Sequence, residues 1–272
     1  MIPDRGGHPD CLWPQVEGDA MVIEVNGMQM SWEEIGEGEP LLWLHGHMGC
    51  GGDWQYVFKE PPSGYRLIAP DLRGHGASTN PSGAFTFRQC ALDVQALLAH
   101  LSLPRVKAIG LSGGGITLLH MATARPASVE SMICVAAPAY FPEQMRTFGR
   151  QYSAAMLGEA EMERMRQRHI HGEQQILQLF AMSQSFVNSY DDVNFTPPYL
   201  STITAETLIV FGDRDPLYPV SLAFELYRAI PNAYLWVVPN GGHDAIFGNT
   251  LGHFVSTALG FLRGRWKASA SE

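Results

Sequence analysis

Four cysteines in 272 residues are too few for a disulfide framework. Cys11, Cys50, Cys90 and Cys134 stand far apart, and no two of them form a CxxC pair. They read as isolated, reduced thiols of a cytoplasmic protein. Lysine and arginine are sparse as well. No basic block of five or more occurs and the formal net charge is -9, so nucleic acid is not an expected partner. No apolar run approaches the about 18 residues that a membrane-spanning helix needs. The opening stretch MIPDRGGHPDCLWPQVEGDA holds acids, prolines and glycines but no apolar h-region, so a standard secretory signal is not expected there. Repeats with a period of about 20 to 50 residues are absent too, which excludes a solenoid or propeller. What remains is ordinary globular composition, 46% hydrophobic and 17% charged.

The apolar residues that are present alternate between two periodicities. After a loose extension over 1–20, MVIEVNGMQMSWEEIG places two alternating runs around Asn26-Gly27, a hairpin signal. PLLWLHG and YRLIAPD read as strands. FRQCALDVQALLAHLSL reads as a helix, with Cys90, Leu92, Val94, Leu97, Leu98 and Leu101 mostly at helical spacing. RVKAIGLS is a strand, GGGITLLHMATARP a helix and VESMICVAAP a strand. Residues 139–200 are helical and rich in methionine and charge. ETLIVFG, VSLAFELYRAI, AYLWVVP and GNTLGHFVSTALGFLRGR then resume the alternation. Strands alternating with helices imply a mostly parallel twisted sheet with helices on both faces, an α/β fold. In such sheets ligands bind beyond the carboxyl ends of the strands. His45, Asp71, Ser112, Asp213, Asp215 and the loop before His243 all fall there.

The stretch GLSGGG, residues 110–115, joins a strand to a helix through a lone serine. The lysine of a phosphate-binding P-loop is missing, and the glycine spacing does not fit a dinucleotide site. A bare steric turn remains one reading. The other is G-x-S-x-G, in which a sharp bend exposes Ser112 and glycines two residues before and after avoid a collision. A serine needs a base, and the base needs a third group to fix its tautomer. TLIVFGDRDPLYP sets Asp213 and Asp215 just beyond a strand, and LWVVPNGGHDAIF sets His243 in a glycine-rich loop after the next one.

Taken together, LLWLHGHMG, APDLRGHGAS, GLSGGG, GDRDPLYP and PNGGHDAIF resemble the α/β-hydrolase superfamily, and the resemblance runs from about residue 22 to 264. It implies Ser112 as nucleophile, His243 as base and Asp215, ahead of Asp213, as the orienting acid. It implies an oxyanion hole from the backbone N–H groups of His47 and Gly113. It divides the chain into hydrolase core over 1–138 and 201–272 and a helical lid over 139–200. It requires no cofactor and no metal.

The remaining polar residues read more plainly. His45, Asp71, Arg73 and His75 are expected to brace the site. His47 stands where the family often has a bulky apolar residue, and its ring is expected to line the pocket. His169 and His171 look like a metal pair without a third ligand, so a solvated helix face is expected. Cys50 lies near the oxyanion loop but lacks a base of its own. Phe141, Met145, Phe148, Tyr152, Met156, Met162, Met165, Phe180, Met182, Phe186 and Tyr190 are either plain core or the inner face of a lid. The expected reaction is hydrolysis of a small carboxylic ester with an apolar portion, through an acyl-enzyme. If His243 must be neutral, activity rises with pH through the ~6.5 of an ordinary imidazole. C–C hydrolase, perhydrolase, aminopeptidase and acyltransferase chemistry share this arrangement, although the proline-rich oxyanion loop usual in aminopeptidases is missing. A ligand-binding receptor that keeps its triad is the alternative from another class.

Overall fold

The computed structural model describes residues 21–266. The extension over 1–20 and Cys11 lie outside them. The chain opens with β1 (Met21–Val25) and β2 (Met28–Gly36), followed by β3 (Glu39–Leu44) and β4 (Tyr65–Pro70). Asn26 and Gly27 both take positive φ, 45° and 74°, which matches the hairpin turn to the strand twist. Next come α1 (Phe87–His100), β5 (Val106–Leu111), α2 (Gly113–Ala124) and β6 (Val129–Val135). A helical stretch follows: α3 (Glu143–Gln151), α4 (Glu159–Arg168), α5 (Glu173–Ser185) and the short α6 (Pro197–Leu200). Alternation resumes with β7 (Glu206–Gly212), α7 (Ser221–Ala229), β8 (Ala233–Val238) and α8 (Leu251–Leu262).

The eight strands form one sheet in the order β1-β2-β4-β3-β5-β6-β7-β8. β1 and β2 pair antiparallel, as do β2 and β4, and all other neighbours are parallel. Leu41 to Leu44 are wholly buried, and β6 and β7 are buried at nearly every position. A strand buried on both sides needs helices on both faces, and this accounts for the near-continuous apolar runs of the sequence. After β3 the chain pairs β4 on one side and β5 on the other. The crevice beyond the carboxyl ends of β3 and β5 is therefore the switch point of the sheet.

Two sequence expectations change. Leu92 is 45% exposed, so it sits on the solvent side of α1, not in the apolar stripe. The pair His169 and His171 does not lie on a solvated helix face. His169 caps the end of α4 and is fully buried, and His171 sits in the turn before α5. Cys50, Cys90 and Cys134 are free and buried. Among the described residues no helix is long and apolar enough to cross a membrane.

Candidate active site

Ser112 stands on a strained turn. Its backbone sits at φ 49°, ψ -111°, a region that non-glycine residues rarely occupy. The glycines around it make the turn possible. A Cβ on Gly110 would meet the Gly114 carbonyl at 2.6 Å. A Cβ on Gly114 would meet the carbonyl oxygens of Leu44 and His45 at 2.1 and 2.7 Å. The first clash is the one expected along the chain. The second comes from β3 next door, because α2 starts pressed against the end of that strand.

Three side chains from three loops connect at this turn. His243 Nδ1 donates to Asp215 Oδ2 at 2.9 Å, and Ser112 Oγ lies 3.0 Å from His243 Nε2. The carboxylate fixes the tautomer. With the hydrogen on Nδ1, Nε2 is bare and accepts the serine hydrogen. Asp215 is buried, and its Oδ1 accepts the backbone N–H groups of Leu217 and Tyr218 at 2.7 and 3.0 Å. Asp213 stays apart, 3.9 Å from the exposed guanidinium of Arg214. Gln144 of α3 donates to the carbonyls of Asp215 and Pro216, tying the acid's loop to the inserted helices.

The two expected oxyanion donors lie side by side. A Cβ on Gly113 would sit 3.3 Å from the His47 nitrogen. Among the described residues neither N–H is spent on another hydrogen bond. Two free donors beside the Ser112 hydroxyl, one at a helix N-terminus, can receive developing negative charge.

The histidines around the loop are buried hydrogen-bonding groups. His45 Nδ1 donates to the Gly46 carbonyl at 2.8 Å, and its Nε2 accepts the Leu72 N–H at 2.9 Å. Asp71 accepts from Gly51 and Ala77 at 2.7 and 2.8 Å, and burial pushes its pKa up to about 6. Arg73 forks onto Asp93 of α1 at 2.8 and 2.9 Å, both side chains buried. Burial, followed by the charge of Asp53, pushes the Cys50 thiol well up, so it is a poor nucleophile. His47 is half-buried. Its ring packs on Phe186 at 5.1 Å between centroids and reaches Ser183 of α5.

Sequence reasoning missed two groups at this site. The Tyr218 ring stands edge-on to His243 at 5.3 Å, and its phenol lies near Ser112. Burial, followed by the charge of Asp215, raises its pKa, so the phenol stays protonated. Its place three residues after the acid was a usable signal. Phe87 lies against Gly113, its ring edge 2.8 Å from where a Cβ would stand. With Phe85, Phe141 and Phe186 it forms an aromatic wall, with ring centroids 5.1 to 6.2 Å apart. Nothing in the local sequence joins those four positions.

Residues 39–163 match the family model for the alpha/beta hydrolase fold. An AB hydrolase superfamily protein, YisY of Bacillus subtilis, is 30% identical over 239 residues, which is 79% of this chain and 88% of the relative. Serine hydrolase BPHL of Mus musculus is 28% identical over 244 residues, covering 82% of this chain and 79% of the relative. Among solved structures, a serine hydrolase from Cycloclasticus zankles superimposes with a TM-score of 0.74 at 20% identity, covering 92% of this chain and 99% of that one. The chain belongs to the α/β-hydrolase superfamily.

Proposed function

We propose that the protein is a serine hydrolase of carboxylic esters. The observation that carries this reading is the unbroken chain from Asp215 through His243 to Ser112, with two idle backbone donors beside it. Ser112 Oγ attacks the acyl carbonyl while His243 Nε2 takes its proton. The N–H groups of His47 and Gly113 hold the oxyanion of the tetrahedral intermediate. His243 then returns the proton to the leaving alcohol, and water repeats both steps on the acyl-enzyme. Asp215 stays ionised and keeps the imidazole aligned. Residues 139–200 act as a lid over this centre, and 1–138 with 201–272 form the core. The ends of the lid are pinned together by the Tyr140–Asn194 bridge and by Phe195 N–H donating to the Ala139 carbonyl at 2.8 Å. The aromatic wall beside Gly113 suits an ester with an apolar portion.

Initial rates on p-nitrophenyl esters of increasing acyl length test this reading. Turnover that vanishes in Ser112→Ala supports it. A wild type inert on every ester overturns it. The same triad would then be tried on ring-cleavage diketones, since the aromatic wall also suits an aryl-bearing C–C hydrolase substrate. Saturable binding without turnover would mark a receptor.

A further inference from the structure

The turn that carries the His47 N–H contains one unusual backbone position. Gly49 N–H closes a turn onto the Gly46 carbonyl at 3.0 Å, with His47 and Met48 between them. Met48 sits at φ 67°, in the region that favours glycine. That conformation is disfavoured for a side-chain-bearing residue, so contacts from outside the turn help to hold it.

Those contacts come from the inserted helices. His75 sets the hydrogen placement. Its Nδ1 donates to the Arg73 carbonyl at 2.9 Å, and burial lowers its pKa to about 4, so its Nε2 is bare. His47 Nδ1 lies 3.2 Å from that lone pair and must carry the hydrogen. Burial, followed by the charge of His75, keeps His47 neutral too. Its Nε2 reaches two groups of α5, the Ser183 hydroxyl at 2.7 Å and the Leu179 carbonyl at 3.1 Å; with the hydrogen on Nδ1, the Ser183 hydroxyl is the one of the two that can donate to it. Next to it, Gly76 N–H donates to His169 Nδ1 at 3.0 Å. The hydrogen of His169 is therefore on Nε2, which faces the Met48 carbonyl at 3.4 Å. The seam is extended by Gln175 of α5, which donates to the carbonyls of Gly74 and Gly76 at 3.1 and 2.9 Å.

We propose that the inserted helices complete the oxyanion hole: Ser183 and His169 are positioning residues that hold the His47–Met48 turn, so the His47 N–H faces the oxyanion while α4 and α5 are docked. The inference rests on the reading of Ser112 as nucleophile and His47 as oxyanion donor. It makes lid docking a condition for transition-state stabilisation as well as for covering the site. Lifting the helices to admit substrate would slacken the hole, and closing them would restore it.

The test compares Ser183→Ala, His169→Leu, His47→Leu and His47→Gln with the wild-type protein. Each is assayed for kcat and KM on p-nitrophenyl acetate, for affinity to phenylboronic acid, and for amide hydrogen exchange over residues 44–49. Ser183→Ala and His169→Leu are expected to lower kcat about tenfold with KM within about twofold, as a misplaced donor does. Boronate affinity should fall in parallel and exchange over 44–49 should rise. His47→Gln, whose amide can still accept from Ser183, should retain more activity than His47→Leu. His169 is buried, so a failure of its variant to fold leaves Ser183→Ala, a change of one hydroxyl, to decide. Unchanged kcat and unchanged exchange in folded Ser183→Ala would overturn the proposal, and so would a kcat loss with boronate affinity intact. If the wild type hydrolyses no ester, the ester reading has failed. Exchange over 44–49 then decides the latch alone.

Discussion

At the scale of single residues, the site is held by backbone that few side chains tolerate. Ser112 takes φ 49° because β5 must turn at once into α2 under the ends of β3. Gly114→Ala should therefore destabilise the protein by about 1–3 kcal/mol in a denaturant melt, as overpacking against fixed carbonyls does. Ser112→Ala should cut kcat on a p-nitrophenyl ester by about 10⁴-fold or more, with the fold intact by circular dichroism. Asp215→Asn should lose roughly 10³–10⁴-fold, because the amide can present a donor to His243 Nδ1 and so select the wrong tautomer. Asp213→Asn, at the surface beside Arg214, should change little, and equal losses in the two variants would refute the assignment of the acid. Tyr218→Phe keeps the ring against His243 and removes the phenol hydroxyl from beside Ser112. A fall in kcat of about 2- to 10-fold is expected from steady-state rates.

At the scale of elements, the inserted helices are joined to one another through a buried cation. Arg146 of α3 donates to the carbonyls of Phe141 and Phe186 at 3.2 Å and of Ser189 at 2.9 Å, and also to that of Val187. Its guanidinium lies 3.9 Å from the centre of the Tyr190 ring. Four carbonyls around one planar fork explain why a charge is buried there among backbone oxygens. Arg146→Ala should leave them unpaired and lower stability by about 2–4 kcal/mol, and Arg146→Lys should not restore it, because an ammonium cannot span the fork. Thermal melts of both variants check this. A near-neutral Arg146→Ala would mean that α3 and the 186–190 loop hold without the knot.

At the scale of the whole molecule, burial of histidine links folding to pH. Burial lowers the pKa of His75 to about 4, and burial followed by His75 lowers that of His169 to about 3. His45 and His47 are also lowered well below 6.5, chiefly by burial. These four bind fewer protons folded than unfolded once the pH drops under their ordinary value of 6.5, so each favours unfolding as pH falls through that window. Asp71 acts the other way. Its folded pKa of about 6 exceeds its ordinary 3.8, so it adds stability as pH falls through about 6. His120, lowered to about 4 by burial, acts with the four histidines, and Asp53, raised by burial, acts with Asp71. Five groups outweigh two, and the melting temperature should drop steadily from pH 6.5 to 4.5. A melting temperature that held or rose over that range would show that the histidine seam is not buried and neutral.

The sequence by itself determined the order of elements, because the period of apolar residues switches wherever the chain passes from strand to helix. It also singled out Ser112 and His243 as the proposed nucleophile and base, since each carries a local glycine pattern that fits a sharp turn and the resemblance to other hydrolases points to both. The choice between Asp215 and Asp213 needed the resemblance to other hydrolases and then the packing. Both acids follow the same strand end, and a two-residue offset decides which one is buried against His243. The contacts that the His47 ring makes with Ser183, and His169 with the Gly76 turn, were not legible at all. A lone histidine on a loop and a serine more than a hundred positions away carry no shared signal. His171 is exposed, but reading His169 as part of a solvated face failed because the end of α4 is pressed onto the Gly76 turn, a contact between distant segments. Local periodicity records what each element buries. Only the tertiary structure decides which element it is buried against, because those contacts join segments far apart in the chain and leave no period to read.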